Sequence, residues 1–247
     1  MEDRKLTVRA VDRALDILLC FTRTSDLGLT EIASQIGLHK STVHRLLTTL
    51  EEKGFLIRNA ATEKYRLGIR IWELSMHLPA FDESATLLLP AMERLRDRLG
   101  ETVSLYLRDG IERVRIQAVQ SQQAIRRVAQ IGARLPLSVG ASSKVLAAYA
   151  PPEVLVELLE GPGWPSSIER EVYRTQLKEI IHQGYATSFE EREPGAAAVA
   201  VPVTGRSGAV VAALSLSGPV SRLSQETLVE YAAVLGEAAS EMGMMIP

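Results

Sequence analysis

The 247-residue sequence predicts an α+β protein in two parts: a small N-terminal part of helices closed by a hairpin, and a larger part built around a central antiparallel sheet. Three observations predict it. Residues 29–50 repeat apolar side chains at helical spacing on either side of Gly37. Two short strand-like runs follow, at 54–58 and 64–67. After Gly100 the apolar period leaves the helical value and alternates between strand and helix spacing to the end of the chain.

The first helix is expected over 8–21, where Val11, Ala14, Leu15, Leu18 and Leu19 form a stripe. This supplies the third helix that a small core needs. Ile32, Ala33 and Ile36 mark the next helix. Gly37 stands where that helix should stop, because glycine enters the left-handed region without a Cβ clash. A following helix carries Val43, Leu46, Leu47 and Leu50 at i, i+3, i+4 and i+7, which is one apolar face. Its other face shows His39, Lys40, Ser41, Thr42, His44, Arg45, Thr48 and Thr49, with no acid before Glu51. Solvated helix faces usually mix both signs, often as i, i+4 pairs. A helix that enters the major groove needs a different asymmetry: an apolar side to hold its scaffold and an acid-free side to meet phosphates and base edges.

The runs 54–58 and 64–67 read as strands, joined by a loop at 59–63 whose length suits a hairpin. Three helices and a basic hairpin make a winged helix-turn-helix. Double-stranded DNA is therefore the expected partner of this part. The contact residues are His39, Lys40, Ser41, Thr42, His44, Arg45 and Thr49 on the helix, with Arg58, Lys64 and Arg66 placed on the wing to reach phosphates. Residues 1–68 hold 11 Lys/Arg against 9 Asp/Glu, and the remainder holds 17 against 21. So small an excess supports DNA binding only if the positive potential is concentrated on one face.

Ile69, Trp72 and Met76 at i, i+3 and i+7 indicate a linker helix over 69–80, stopped by Pro79. A longer helix over 81–99 places Leu88, Met92, Leu95 and Leu99 on one face. Strands are expected at 102–107, 113–119 and 124–130, then helices at 142–149, 152–159 and 168–184. Further strands follow at 186–189, 197–203 and 210–216, and Leu228, Tyr231, Ala232, Leu235 and Met242 give a closing helix. The division is thus 1–68, the linker 69–80, and a domain over 81–247, of the α+β kind.

Two features of that domain suit a small ligand. Ser142 and Ser143 stand where a helix should begin, and a helix N-terminus offers unpaired N–H groups to a carboxylate. One of these serines could equally cap the helix. Ser215 and Ser217 alternate with Leu214 and Leu216, so both hydroxyls share one strand face. Facing inward they would need polar partners, which a ligand could supply; facing water they would carry no meaning.

Composition narrows the class. The chain is 46% apolar and 23% charged, typical of a globular protein of ordinary make-up. One cysteine, Cys20, excludes an internal disulfide and suits a reducing compartment, with the cytoplasm as the expected location. The sequence opens on charged residues without a secretory signal, and no apolar run approaches the ~20 residues of a membrane span. Four scattered histidines and one cysteine give no metal-ligand spacing, so neither a metal nor another cofactor is expected. No phosphate loop, dinucleotide fingerprint or nucleophile elbow is present. Ser143-Lys144 and Glu190-Glu191 fail as catalytic pairs, because adjacent side chains diverge. No enzyme is expected.

The sequence resembles the IclR family of bacterial transcription regulators. Leu29-Thr30-Glu31-Ile32-Ala33, the run from Gly37 to Leu47, and Tyr65-Arg66-Leu67-Gly68 carry the resemblance in the first part. Gly100-Glu101-Thr102-Val103, Leu135-Pro136-Leu137, the run from Ala141 to Ala147, Gly184-Tyr185-Ala186, Glu190-Glu191, the run from Val199 to Val203 and that from Leu214 to Pro219 carry it in the second. Ser138 and Ser143 depart from the residues usual in the family, a His and a Gly. The resemblance implies a GAF-like effector domain, a homodimer that pairs into a dimer of dimers, and a small organic acid as effector. It places effector contacts at Ala141, Ser142, Glu190, Ala196, Ala198, Ser215 and Ser217. Alanine at 196 and 198, where family members often carry larger residues, implies room for an aromatic or other bulky acid. The alternative is an architectural DNA-binding oligomer that responds to no ligand.

Overall fold

The structure, a computed structural model, describes residues 7–22, 24–76, 81–126, 128 and 130–246; of 81–86 it describes the backbone alone. The chain divides into two compact units, Met1–Pro79 and Ala80–Pro247.

The first unit contains α1 (Arg9–Cys20), α2 (Leu29–Gln35), α3 (Lys40–Glu52), β1 (Leu56–Arg58), β2 (Tyr65–Leu67) and α4 (Ile69–Ser75). α2 starts at Gly28, whose N–H donates to the Glu31 carboxylate at 2.6 Å. It ends before Gly37, which takes φ +64° as the sequence requires. Ile32, Val43 and Leu47 are fully buried, and Ile17, Phe21, Leu27, Leu50, Leu56 and Tyr65 complete this core. β1 and β2 are antiparallel, with Ile57 opposite Arg66, and Leu27 adds a bridge to Tyr65. The wing joins α4 at Gly68, where a Cβ would lie 2.1 Å from the Gly54 carbonyl oxygen, so only glycine allows this approach.

The α1 stripe is only partly a core element. Ala14, Ile17 and Leu18 pack inward, whereas Val11, Leu15 and Leu19 are each more than half exposed. The apolar face of α1 is wider than the surface one small core can cover. α4 has no buried residue and ends at Ser75, with Ile69, Trp72 and Met76 exposed. The expected stop at Pro79 lies outside the described residues.

The second unit contains α5 (Phe81–Leu99), β3 (Thr102–Asp109), β4 (Glu112–Val119), β5 (Arg134–Pro136), α6 (Ala141–Ala148), α7 (Pro152–Glu160), α8 (Arg170–Gln183), β6 (Ala186–Phe189), β7 (Ala196–Thr204), β8 (Val210–Pro219) and α9 (Gln225–Met245). The six strands form one antiparallel sheet in the order β5-β4-β3-β8-β7-β6. Strand alternation divides the packing. Val103, Leu105, Val199, Val201, Leu214 and Leu216 face Leu88, Met92 and Leu95 of α5 and Leu228, Leu235 and Met242 of α9. Tyr106, Ala200 and Ala213 face α6 and α8 on the other side. α6 is buried on every face, as a helix between a sheet and a second helical layer must be.

The described residues of the run expected as a strand at 124–130 are not in a strand. Residues 122–125 bend, Ile125 and Val128 are exposed, and the sheet edge is taken by β5, which pairs with 112–114 of β4. Alternation without a surface to bury it does not make a strand. Among the described residues no helix is long and apolar enough to cross a membrane.

Candidate functional site

In the first unit, α3 turns its apolar stripe to the core and leaves His39, Lys40, Ser41, His44, Arg45 and Thr49 exposed, with Thr42 half-buried. His39 flanks the helix start without a side-chain cap, and the first turn holds no acid. The leading N–H groups of α3 therefore remain open to an anion. Thr48 and Thr49 donate their hydroxyls back to the carbonyls of His44 (3.0 Å) and Arg45 (3.1 Å). The wing cations differ in how they are held. Arg58 is ion-paired with Glu63 and lies over the Tyr65 ring, and Lys64 lies 4.0 Å from Glu31. Arg66 is exposed and makes no ion pair among the described residues. Cys20 donates its thiol to the Asp16 carbonyl at 3.3 Å, and burial, with Asp16 second, pushes that thiol up from its ordinary range. It is not activated as a nucleophile.

In the second unit a small recess opens on the α6 face of the sheet. Ala141, Ser142, Ala196, Ala198, Ser215 and Ser217 all line it. The alternation of β8 is thereby resolved: Leu214 and Leu216 are fully buried against α5 and α9, and the serines face the recess. Ser215 donates to the Val199 carbonyl at 3.1 Å. Neither serine of α6 is its cap. That position is Gly140, with φ +97° and no side-chain bond. Ser142 accepts from the Arg113 guanidinium at 2.8 Å, and Ser143 donates to the Pro136 carbonyl at 2.7 Å.

Glu190 is not in the recess. It takes φ +56° at the end of β6, and its exposed carboxylate accepts the Gly195 N–H at 2.7 Å, closing the 190–195 loop. Two residues earlier on the same strand face, Ser188 lines the recess instead. Glu191 turns the other way and accepts from Lys144 Nζ at 2.5 Å and from the Gly140 N–H at 3.3 Å. This ion pair neutralises the only cation inside α6 and fastens the loop to the helix start.

Sequence reasoning missed the recess cations. Arg113 and Arg115, on alternate positions of β4, are 3% and 5% exposed and line the recess with Tyr106 and Arg192. Arg115 donates to the Tyr106 phenol oxygen from Nε (2.9 Å) and Nη2 (2.5 Å), and to the Gln130 carbonyl from Nη1 (3.3 Å). The guanidinium carbons of Arg113 and Arg115 lie 4.8 and 5.1 Å from the Tyr106 ring centroid. No residue lining the recess is acidic. An electropositive cavity with several hydroxyl groups and a helix N-terminus can hold a small anion. Among the described residues no group of His, Cys, Asp and Glu is placed to hold a metal ion.

Residues 10–60 match the IclR helix-turn-helix domain, and residues 84–244 match the domain described as bacterial transcriptional regulator IclR C-terminal. The HTH-type transcriptional regulator XynR of Escherichia coli is 35% identical over 237 residues, covering 94% of each chain. The HTH-type transcriptional regulator KdgR of the same organism is 34% identical, covering 96% of this chain and 92% of its own. Among solved structures, an IclR homolog from Microbacterium hydrocarbonoxydans complexed with 4-hydroxybenzoate superposes with a TM-score of 0.80 at 28% identity, covering 95% of this chain and 97% of that one. These relatives are regulators, not enzymes, and share both the helix-turn-helix and the sheet-based domain. The chain belongs to the IclR family of DNA-binding transcription regulators.

Proposed function

We propose that this regulator binds its operator through α3 and the wing as a homodimer, and that a small organic acid in the recess of the second unit modulates that binding. His39, Lys40, Ser41, Thr42, His44, Arg45 and Thr49 meet the major groove, with Arg45 reading a base; Arg58, Lys64 and Arg66 meet phosphates. The exposed apolar residues Val11, Leu15 and Leu19 of α1 and Ile69, Trp72 and Met76 of α4 support self-association. A dimer presents two copies of α3 to half-sites about one helical turn (~34 Å) or a multiple apart. Two dimers pair into a tetramer. The 69–80 linker transmits the effector's influence, and the effector shifts operator affinity only as far as it binds one arrangement better than the other.

The observation that carries the effector assignment is a recess lined by three arginines and four serines without a carboxylate. Alanines at 196–198 keep one wall small, which favours an aromatic or comparably bulky acid over a two-carbon one. The 4-hydroxybenzoate bound by the Microbacterium homolog supports that size class. The test is operator binding by the full chain, followed by fluorescence anisotropy on its own promoter fragment, with acetate, glyoxylate, benzoate and 4-hydroxybenzoate. A change in affinity with an aromatic acid is the expected result. Tighter response to the two-carbon acids overturns the size assignment. Unchanged affinity across a broad acid panel overturns the effector and favours an architectural oligomer.

A further inference from the structure

We infer that the cleft between α1 and α3 seats a phosphate of the operator backbone, and that Arg13 on α1 is the cation that holds it; this rests on the docking of α3 proposed above. The cleft is lined by Ala10 and Arg13 from α1 and by Thr42, Arg45, Leu46 and Thr49 from α3, none of them acidic. Arg13 is half-buried, and neither it nor Arg45 is ion-paired among the described residues. The nearest acids of α1 point elsewhere. At about 100° per residue, Asp12 and Asp16 leave the helix on the side of Arg13 away from Ala10 and the buried Ile17, and neither lines the cleft.

A helix in the major groove has a phosphate strand along each flank, because the groove (about 12 Å) is little wider than the helix with its side chains (about 10–12 Å). The two flanks of α3 differ. Lys40 and His44 fall on one side of Arg45, while Thr42, Leu46 and Thr49 fall on the other and face α1. The flank toward α1 therefore has no cation of its own beyond Arg45. The Thr49 hydroxyl is committed to the Arg45 carbonyl at 3.1 Å, whereas that of Thr42 makes no bond among the described residues and can donate to a phosphate oxygen. With Arg45 turned to a base, the positive charge for this strand comes from Arg13, whose fork of N–H donors suits a phosphate. Arg13 leaves α1 roughly opposite the exposed Val11 and Leu15. One helix thus offers an apolar face for pairing the protomers and, on its other side, a cation for the duplex.

Fluorescence anisotropy of the full chain tests this across salt concentrations, on its own promoter fragment and on a scrambled duplex of the same length. Arg13→Gln should weaken both, by about fivefold per half-site near 0.15 M salt, and flatten the salt slope by about 0.9 per half-site, or about 1.8 for a dimer. Arg13→Lys should keep the wild-type slope, and the circular dichroism of both variants should match the wild type. Ala10→Glu places an acid in the cleft from an already exposed position and should weaken both duplexes too; it replaces Arg13→Gln if that variant fails to fold. Ethylation interference should show phosphates whose modification hinders the wild type but not Arg13→Gln. Wild-type affinity and slope in Arg13→Gln overturn the phosphate contact and leave the docking of α3 standing. A loss on the promoter alone, at unchanged slope, also overturns it, because Arg13 then acts through Arg45. Wild-type binding that is insensitive to salt on every fragment overturns the docking of α3 as well.

Discussion

Arg45→Ala removes a long cationic side chain from the open face of α3 without touching its packed face, where Val43 and Leu47 are fully buried. Arg45 makes no ion pair among the described residues, so the folded unit should lose less than about 0.5 kcal/mol. Its neighbours do not replace it, because Thr48 and Thr49 already donate their hydroxyls to backbone carbonyls. A bidentate contact to a base contributes about 1–3 kcal/mol of discrimination, and about 1.4 kcal/mol is tenfold in affinity. Each half-site should therefore lose roughly fivefold to a hundredfold, and a dimer incurs the loss twice. Fluorescence anisotropy on operator and scrambled DNA, repeated across salt concentrations, separates the roles. A base reader lowers affinity on operator alone and leaves the salt slope unchanged. A phosphate contact lowers it on both and flattens the slope by about 0.9 per contact. Wild-type affinity and slope on the operator would refute base reading by Arg45. Arg66→Ala should flatten the slope more than Arg58→Ala, because Arg58 must give up Glu63 to reach a phosphate.

Ser215→Ala with Ser217→Ala should leave operator affinity intact and blunt the acid response, measured as the shift in half-saturating effector; an unaltered response excludes β8 from the site. Leu15→Glu on α1, or Trp72→Glu on α4, adds a charge to an already exposed apolar surface. Either should lower the mass seen by sedimentation without changing the circular dichroism of the chain, and a wild-type mass for both would remove these faces from the dimer. Arg222→Met leaves Glu101 buried without the guanidinium that now reaches it at 2.5 and 3.0 Å. The second unit should lose about 3 kcal/mol in urea unfolding, and a loss below about 1 kcal/mol would mean that water compensates Glu101.

The parts legible in the sequence were those in which one side-chain property recurs with a single period and the structure buries that side. Val43, Leu46, Leu47 and Leu50 are such a set, and so is the division of β8 into Leu214/Leu216 and Ser215/Ser217. Periodicity fixes which residues share a face, not what covers it. Hence the α1 stripe was legible as apolar while the exposure of Val11, Leu15 and Leu19 was not. The run at 124–130 has strand composition, but its described residues join no strand, and the sheet edge belongs to three residues further on. Arg113 and Arg115 alternate with Val114 and Ile116, a pattern that ordinarily marks a solvated strand face. Only the sheet order, which brings β4 beside β3 with α6 above, turns that face inward. Glu190 was placed by motif, two residues past the last inward position of β6, because motif alignment does not reveal where a strand ends.

The two-sided character of β8 has a mechanical consequence. One peptide unit separates Ser215, which borders the cavity, from Leu216, which packs in the same core as Leu88, Met92 and Leu95 of α5. A close-packed interior does not yield gradually; it exchanges one fitted arrangement for another. If an occupant rotates the strand far enough to reseat the hydroxyls, the leucines must find new seats as well, and α5 is the first element of the unit to feel them. In that event the strand would act as a rocker whose far arm bears on the helix that opens the second unit.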